Sequence, residues 1–447
     1  MANCGCTEYS RAGRGLPAIE AGMPLPAGTG LTRRSFISRA SGLALAVYGG
    51  AALGPKAFEE GIAAAAAQAP DQRILVSIFL SGGVDSLTLL APTGHSRYAG
   101  LRPTLALAPD RGTPFAEDTS LRWHPSASSL AALHGEGKVT VFPAVGYDDP
   151  NQSHFTSRHY WEVGEVNPFG RWGWLGRYLD RHGVADNPLQ GLTLGWDLQP
   201  SLAARNVPVA TVSRPDDYGF WSPGVWGPVE DRMLDAFGEL GEPATSDPGL
   251  RYARGQVAAT SKLREQLEPF QSGYSPPPGV TYPDAELGRR LGALAAMIAG
   301  GLPLRVVAVE SGGYDTHSNQ AQTLAPDLEE VSLSLLAFQR DLEARGLQDR
   351  VLVHVWSEFG RRPQENGSGT DHGAAGVGFV IGSRASGQMV GSFPGLLDSQ
   401  LDGADNLRAT SDFRGAYRAL LEQWLGVDAA EIVPNASSFT APALVKP

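Results

Sequence analysis

Hydrophobic positions along this chain recur with two spacings. Ile74–Leu80 (ILVSIFL), 304–309 (LRVVAV) and Val351–Trp356 (VLVHVW) are almost unbroken apolar runs of strand length. That is the pattern of strands covered on both faces. Residues 138–145 read as a further strand, 207–212 as a weaker one and 378–381 as a short one. Between these runs the spacing is helical. Residues 284–299 put Leu287, Leu291, Leu294 and Ile298 on one face, and 327–344 do so with Leu328, Val331, Leu335, Leu336 and Phe338. Residues 411–425 start with Asp412 near a cap position and turn Phe413, Tyr417, Leu420, Leu421 and Trp424 inward. Strands alternating with helices predict an α/β fold, a mainly parallel sheet with helices on both faces. Residues 214–283 break the pattern. They are rich in Pro, Gly and charge, with one helical stretch at 253–267, and read as an inserted cap or a long connection.

The N-terminal stretch has its own signature. Thr32-Arg33-Arg34-Ser35-Phe36-Ile37 precedes a mildly apolar run over 40–53 and an alanine tract over 63–67. Basic, apolar and small residues in that order make a signal peptide, and the Arg33-Arg34 pair makes it the twin-arginine kind. The expectation is a signal peptide and extension over 1–69 and a single domain over 70–447. The twin-arginine translocase is then a partner, and the mature protein is periplasmic, extracellular or at the cell surface. No later run is long and apolar enough to form a mature transmembrane segment. That route carries folded proteins, often ones that already hold a cofactor.

Composition narrows the chemistry. A formal charge of −11 argues against a general nucleic-acid partner. The two cysteines, Cys4 and Cys6, both precede the arginine pair. Cleavage of the signal leaves no thiol, which excludes disulfides, thiolate metal sites and a Cys nucleophile. A metal centre must then use Asp, Glu, His or a hydroxyl.

Functional groups of open α/β sheets gather where strands end and helices begin. Five loops fit that rule. Ser81-Gly82-Gly83-Val84-Asp85-Ser86 follows the first strand, with Asp85 facing the crevice or capping the next helix. Its letters resemble the SGGxDS loop of ATP pyrophosphatases, in which backbone amides hold pyrophosphate. Asn151-Gln152-Ser153-His154 places Ser153 at a helix N-terminus, where it serves as a cap or as a nucleophile aided by the helix dipole. Asp315 and His317 lie two apart in the loop after 304–309, within reach of one cation, with Glu310 as a further ligand or a supporting group. Glu358 ends a buried strand and needs a partner, either Arg361 or Arg362 or a metal. His372 sits in a glycine-lined loop. His95 and Arg97 follow the first loop and could bind an anion, and Arg158 and His159 lie about one turn after Ser153; the plainer reading is of helix-surface residues.

Five motifs in one order, FLSGGVDSLTLLAP, NQSHFTSRHYW, VESGGYDTHSNQ, WSEFGRRPQENGSGTDHGAAG and DFRGAYRALLEQWLGV, resemble an exported bacterial family, domain of unknown function 1501. The resemblance spans nearly all of 70–447 except 214–283. The family is grouped with alkaline phosphatases and sulfatases, which implies a doubly wound α/β core of alkaline-phosphatase type. It also implies one or two divalent metal ions (Zn, Ca, Mg or Mn) and a small anionic ester as substrate. Ser153 then stands for the nucleophile, and Asp85, Asp315, His317, Glu358 and His372 for metal ligands. Ser81 lies nearer than Asp85 to the place of the ligand after the first strand. Phe359 stands where a ligand histidine is expected. The functional expectation is a metal-dependent hydrolase of phosphate or sulfate esters. Two alternatives stand beside it: a non-catalytic binding or surface-assembly protein on the same fold, and an ATP pyrophosphatase-type enzyme.

Overall fold

Ile74–Leu80 and Val351–Trp356 are buried at every position, and only a place between two helical layers buries such strands. The computed structural model describes residues 45–48, 72–184, 187–213, 227–241, 243–270 and 273–446. It places these two strands side by side near the middle of the main sheet. The strands of that sheet are β1 (Leu45–Tyr48), β2 (Ile74–Leu80), β3 (Val139–Gly146), β4 (Gly191–Leu194), β5 (Val209–Val212), β6 (Val306–Ser311), β7 (Val351–Trp356), β8 (Gly376–Ile381) and β9 (Ser411–Asp412). Their spatial order is β1-β5-β4-β6-β2-β7-β8-β3-β9. β5, β4, β6, β2 and β7 pair in parallel, while β8 runs antiparallel to both β7 and β3. Two reversals cancel, so β3 again runs with β7. The carboxyl ends of β2, β3, β6 and β7 therefore share one edge, and β8 starts from it.

The longer helices are α1 (Ser128–Gly135), α2 (His154–Val163), α3 (Trp174–His182), α4 (Pro228–Glu239), α5 (Pro248–Leu267), α6 (Glu286–Ala299), α7 (Gln320–Ala344) and α8 (Phe413–Ala419). Side chains of β2 divide by parity. Ile74, Val76 and Ile78 pack with α1, α6 and α7, and Leu75 and Phe79 pack with α2, α3 and α8. This is the mainly parallel α/β sheet, covered on both faces, that the hydrophobic pattern predicts. The Asp412 side chain caps α8 by accepting from the Arg414 amide.

The structure departs from the pattern at three places. β4 has only four residues and gives no periodic signal. α7 starts at Gln320 rather than 327, and Pro326, a residue that usually ends or begins a helix, lies inside it. Within 214–283, α5 sends Ala259, Leu263 and Leu267 into the core, so this helix is part of the domain's packing. Arg33, Arg34 and the alanine tract lie outside the described residues. From the apolar run that follows the arginine pair, Leu45–Tyr48 forms β1, antiparallel to β5. No helix among the described residues is long and apolar enough to cross a membrane.

Candidate metal centre

The loop after β2 can turn tightly because Gly82 and Gly83 both take positive φ, 124° and 73°. A Cβ on Gly82 would stand 2.4 Å from the Asp315 amide, and one on Gly83 would stand 2.3 Å from the Phe359 ring. The glycines thus let the loops after β2, β6 and β7 meet. Their amides form a small anion cradle, but its occupant is the protein's own Glu358. Gly82 donates to Oε1 at 3.0 Å and Gly83 to Oε2 at 3.1 Å. The amides that the pyrophosphatase reading assigns to a nucleotide are engaged inside the fold.

Glu358 in turn fixes His154, the first residue of α2. Oε1 lies 2.7 Å from His154 Nδ1, and the Ser357 hydroxyl donates to Oε2 at 3.0 Å. Both Glu358 oxygens are engaged by protein donors, and the side chain orients an imidazole. Asp85 is likewise held by protein donors. Its carboxylate accepts from Arg102 Nη2 at 2.9 Å, from Thr88 Oγ1 at 2.7 Å and from the Leu87 amide, and it also meets Arg102 Nη1 and Gln320. Burial alone would raise the Asp85 carboxyl, but the Arg102 charge outweighs it and holds the group below its ordinary value.

Asp315 and the imidazoles come together. Coordinating atoms of His154, Asp315 and His372 lie within 4.8 Å of one another. His317 joins them, with Nε2 3.1 Å from Asp315 Oδ1 and 3.0 Å from His372 Nε2. The far nitrogen of each ring faces an acceptor. His154 Nδ1 faces Glu358, His317 Nδ1 lies 3.2 Å from Asp371 Oδ1, and His372 Nδ1 lies 2.9 Å from the Gln152 carbonyl. A carbonyl or carboxylate can only accept, so hydrogen-bond satisfaction assigns the proton to Nδ1 in all three rings. In neutral His317 and His372 rings Nε2 then carries the lone pair. Two such lone pairs 3.0 Å apart repel, and Arg361 Nη1, 3.4 Å from His317 Nε2, supplies one positive charge beside them. A proton or a metal ion adds the charge that relieves the contact.

Without an ion the protons do this. Burial works against a charged His154, but its bonds to Asp315 and Glu358 win and push it up to about 9. Asp315 would be raised by burial, yet His154, His317, His372 and Arg361 hold it far below the ordinary carboxylate range. His372 is pushed down, first by burial and also by the charges of His154 and Arg361. His154, Asp315 and His372 thus offer two imidazole nitrogens and one carboxylate oxygen that could hold a metal ion.

Residues 262–406 match the model of a family described as protein of unknown function, DUF1501. No curated protein matches. Among solved structures the chain is similar to a protein in the alkaline phosphatase superfamily from Vibrio parahaemolyticus, with 9% identity over 86% of this chain and 79% of that one, at a TM-score of 0.36. It is also similar to the lipoteichoic acid synthase of Listeria monocytogenes, with 7% identity, 81% and 74% coverage and a TM-score of 0.33. A sulfatase from Pseudoalteromonas sp. matches at 10% identity, 84% and 72% coverage and a TM-score of 0.33.

The DUF1501 segment supplies Asp315, His317, Glu358 and His372, whereas Ser153 and His154 come from outside it. Ser153 caps α2 in an extended conformation. Its side chain makes no capping bond, and its amide donates to Asn151 Oδ1. Phe359 packs its ring 4.9 Å from that of His154 and 4.8 Å from that of His372, forming a wall of the centre at the place where a ligand is expected. Sequence reasoning gives His154 no role of its own. The signal that could have found it is its position, the first helical residue after a buried strand, which points its ring back over the sheet edge. Glu310 lies apart from the imidazoles and binds Arg158 and Gln199.

Proposed function

We propose that His154, Asp315, His317 and His372 hold one divalent transition-metal ion, and that this DUF1501 protein is an exported hydrolase of phosphate or sulfate esters. The observation that carries the metal part is the convergence of coordinating atoms of His154, Asp315 and His372 within 4.8 Å, with an acceptor facing Nδ1 of His154, His317 and His372. A bound ion of this kind polarises an ester oxygen and lowers the pKa of a nearby hydroxyl. Ser153 is the nucleophile of this reading. Its side chain makes no capping bond, and it stands at the positive end of the ten-residue α2, next to the ligand His154. Phe359 and the buried loops around Glu358 keep water from the rear of the centre.

The test pairs activity with metal content. Release of nitrophenol from nitrophenyl phosphate and nitrophenyl sulfate is measured for the wild type and for Ser153→Ala. The hydrolase reading expects loss of turnover with the ion retained. Equal rates in the two proteins would contradict it. One observation favours a non-catalytic binding protein: Arg361 already pairs with Asp315 at 2.5 Å. That reading expects an ion or ligand to bind with no turnover of either ester. Export through the twin-arginine translocase is supported by Arg33-Arg34 and the runs that follow. A reporter fused behind residue 70 should leave the cytoplasm, and Arg33→Lys with Arg34→Lys should retain it.

A further inference from the structure

Arg361 has no solvent exposure in its side chain. Its Nε donates to the Gly83 carbonyl at 2.7 Å, Nη1 to the Thr370 carbonyl at 2.8 Å, and Nη2 to the carbonyls of Tyr314, at 3.2 Å, and Gly82. Four carbonyls on three segments therefore fix the guanidinium in place whatever Asp315 does. From there Nη2 reaches Asp315 Oδ1 at 2.5 Å, and Nη1 lies 3.4 Å from His317 Nε2. A guanidinium stays charged at any pH the fold survives. This one is dry, so its field at the centre is weakly screened.

We infer that Arg361 is a built-in cation of the centre, sharing Asp315 and His317 with the bound ion and lowering that ion's affinity by charge repulsion. The inference rests on the cation reading above. Asp315 is the one carboxylate in the donor set, and Arg361 neutralises it before any ion arrives. The ion then meets three imidazoles and a paired carboxylate, a weak field for a divalent cation. The centre is thereby limited to one exchangeable ion. If Arg361 were only a staple for the loops, its charge would be irrelevant and its hydrogen bonds would be everything.

Two substitutions separate charge from stapling. Arg361→Lys keeps the charge and loses most of the bonds, and Arg361→Gln loses the charge. Zinc affinity is measured by chelator competition on full-length folded protein, with thermal unfolding of the ion-free forms recorded alongside. The expected result is zinc binding tightened about tenfold or more in Arg361→Gln and kept within about threefold of wild type in Arg361→Lys, even where both lower the unfolding temperature. Weaker binding in both variants, following their loss of stability, overturns the inference and leaves the cation reading intact. No zinc bound by any of the three folded proteins removes the cation reading itself and this inference with it.

Discussion

Two carboxylates at the same sheet edge, the buried Asp85 and the partly exposed Asp315, each pair with a buried arginine, and there the likeness ends. Around Asp85 every contact is donor to acceptor. Arg102, Thr88, Gln320 and the Leu87 amide all donate to it, and Arg102 also donates to the carbonyls of Arg362 and Pro363. Around Asp315 the ring nitrogens of His154, His317 and His372 converge on one carboxylate beside Arg361, and Nε2 of His317 faces Nε2 of His372 at 3.0 Å. A satisfied polar knot holds a fold together, whereas a set of convergent acceptors is a site prepared for something else.

The largest effect should come from breaking the knot. Asp85→Ala leaves Arg102 buried without its counter-ion, at a cost of about 3–5 kcal/mol in denaturant unfolding. Cation affinity of the folded remainder should be unchanged. If Asp85→Ala instead removed the ion while leaving stability alone, the roles of the two carboxylates would be reversed.

Acid unfolding sharpens the contrast through histidines outside the centre. His159 is buried with Nδ1 unpartnered, and burial pushes it down to about 4. The unfolded chain takes up a proton near the ordinary value of about 6.5, before the folded one does. The stability that depends on neutral His159 is therefore present above that pH and lost as pH falls towards 4, by about 2–3 kcal/mol. His159→Phe should flatten the fall between pH 6.5 and 4 in thermal unfolding. An unchanged slope would remove His159 as its source.

A smaller effect is expected from Glu358→Gln. Gln keeps the bond from the Gly83 amide, but an NH2 in place of Oε1 loses the 3.0 Å bond from the Gly82 amide and faces His154 Nδ1 with a donor, which releases the proton held there. His154 then presents a protonated Nε2 to the centre, and zinc affinity should fall about 10–100-fold with little loss of stability. Unaltered affinity would mean that Glu358 has no part in orienting the ring.

The same contrast explains how far the sequence is readable. β2, β6 and β7 announce themselves because both of their faces are apolar. β4, with four residues, and the polar first turns of α7 do not, because tertiary pairing decides them rather than local pattern. Asp315, His317 and His372 are legible as polar residues in glycine-rich loops at strand ends. Asp85 and Glu358 look the same by that criterion. Their roles depend on Arg102 and on the Gly82 and Gly83 amides, and nothing in linear spacing reveals which carboxylate finds a protein donor first. His154 stays hidden because its helix start also reads as a serine cap.

The measurement that bears most directly on the centre is the metal content of protein purified from cells with its N-terminal segment intact, beside His154→Ala and His372→Ala prepared in the same way. The expected result is one divalent transition-metal ion per wild-type chain, lost from both variants, and a lower unfolding temperature for the wild type in chelator. A wild-type protein that is folded, carries no divalent ion, takes up no zinc and unfolds at the same temperature with and without chelator would contradict it.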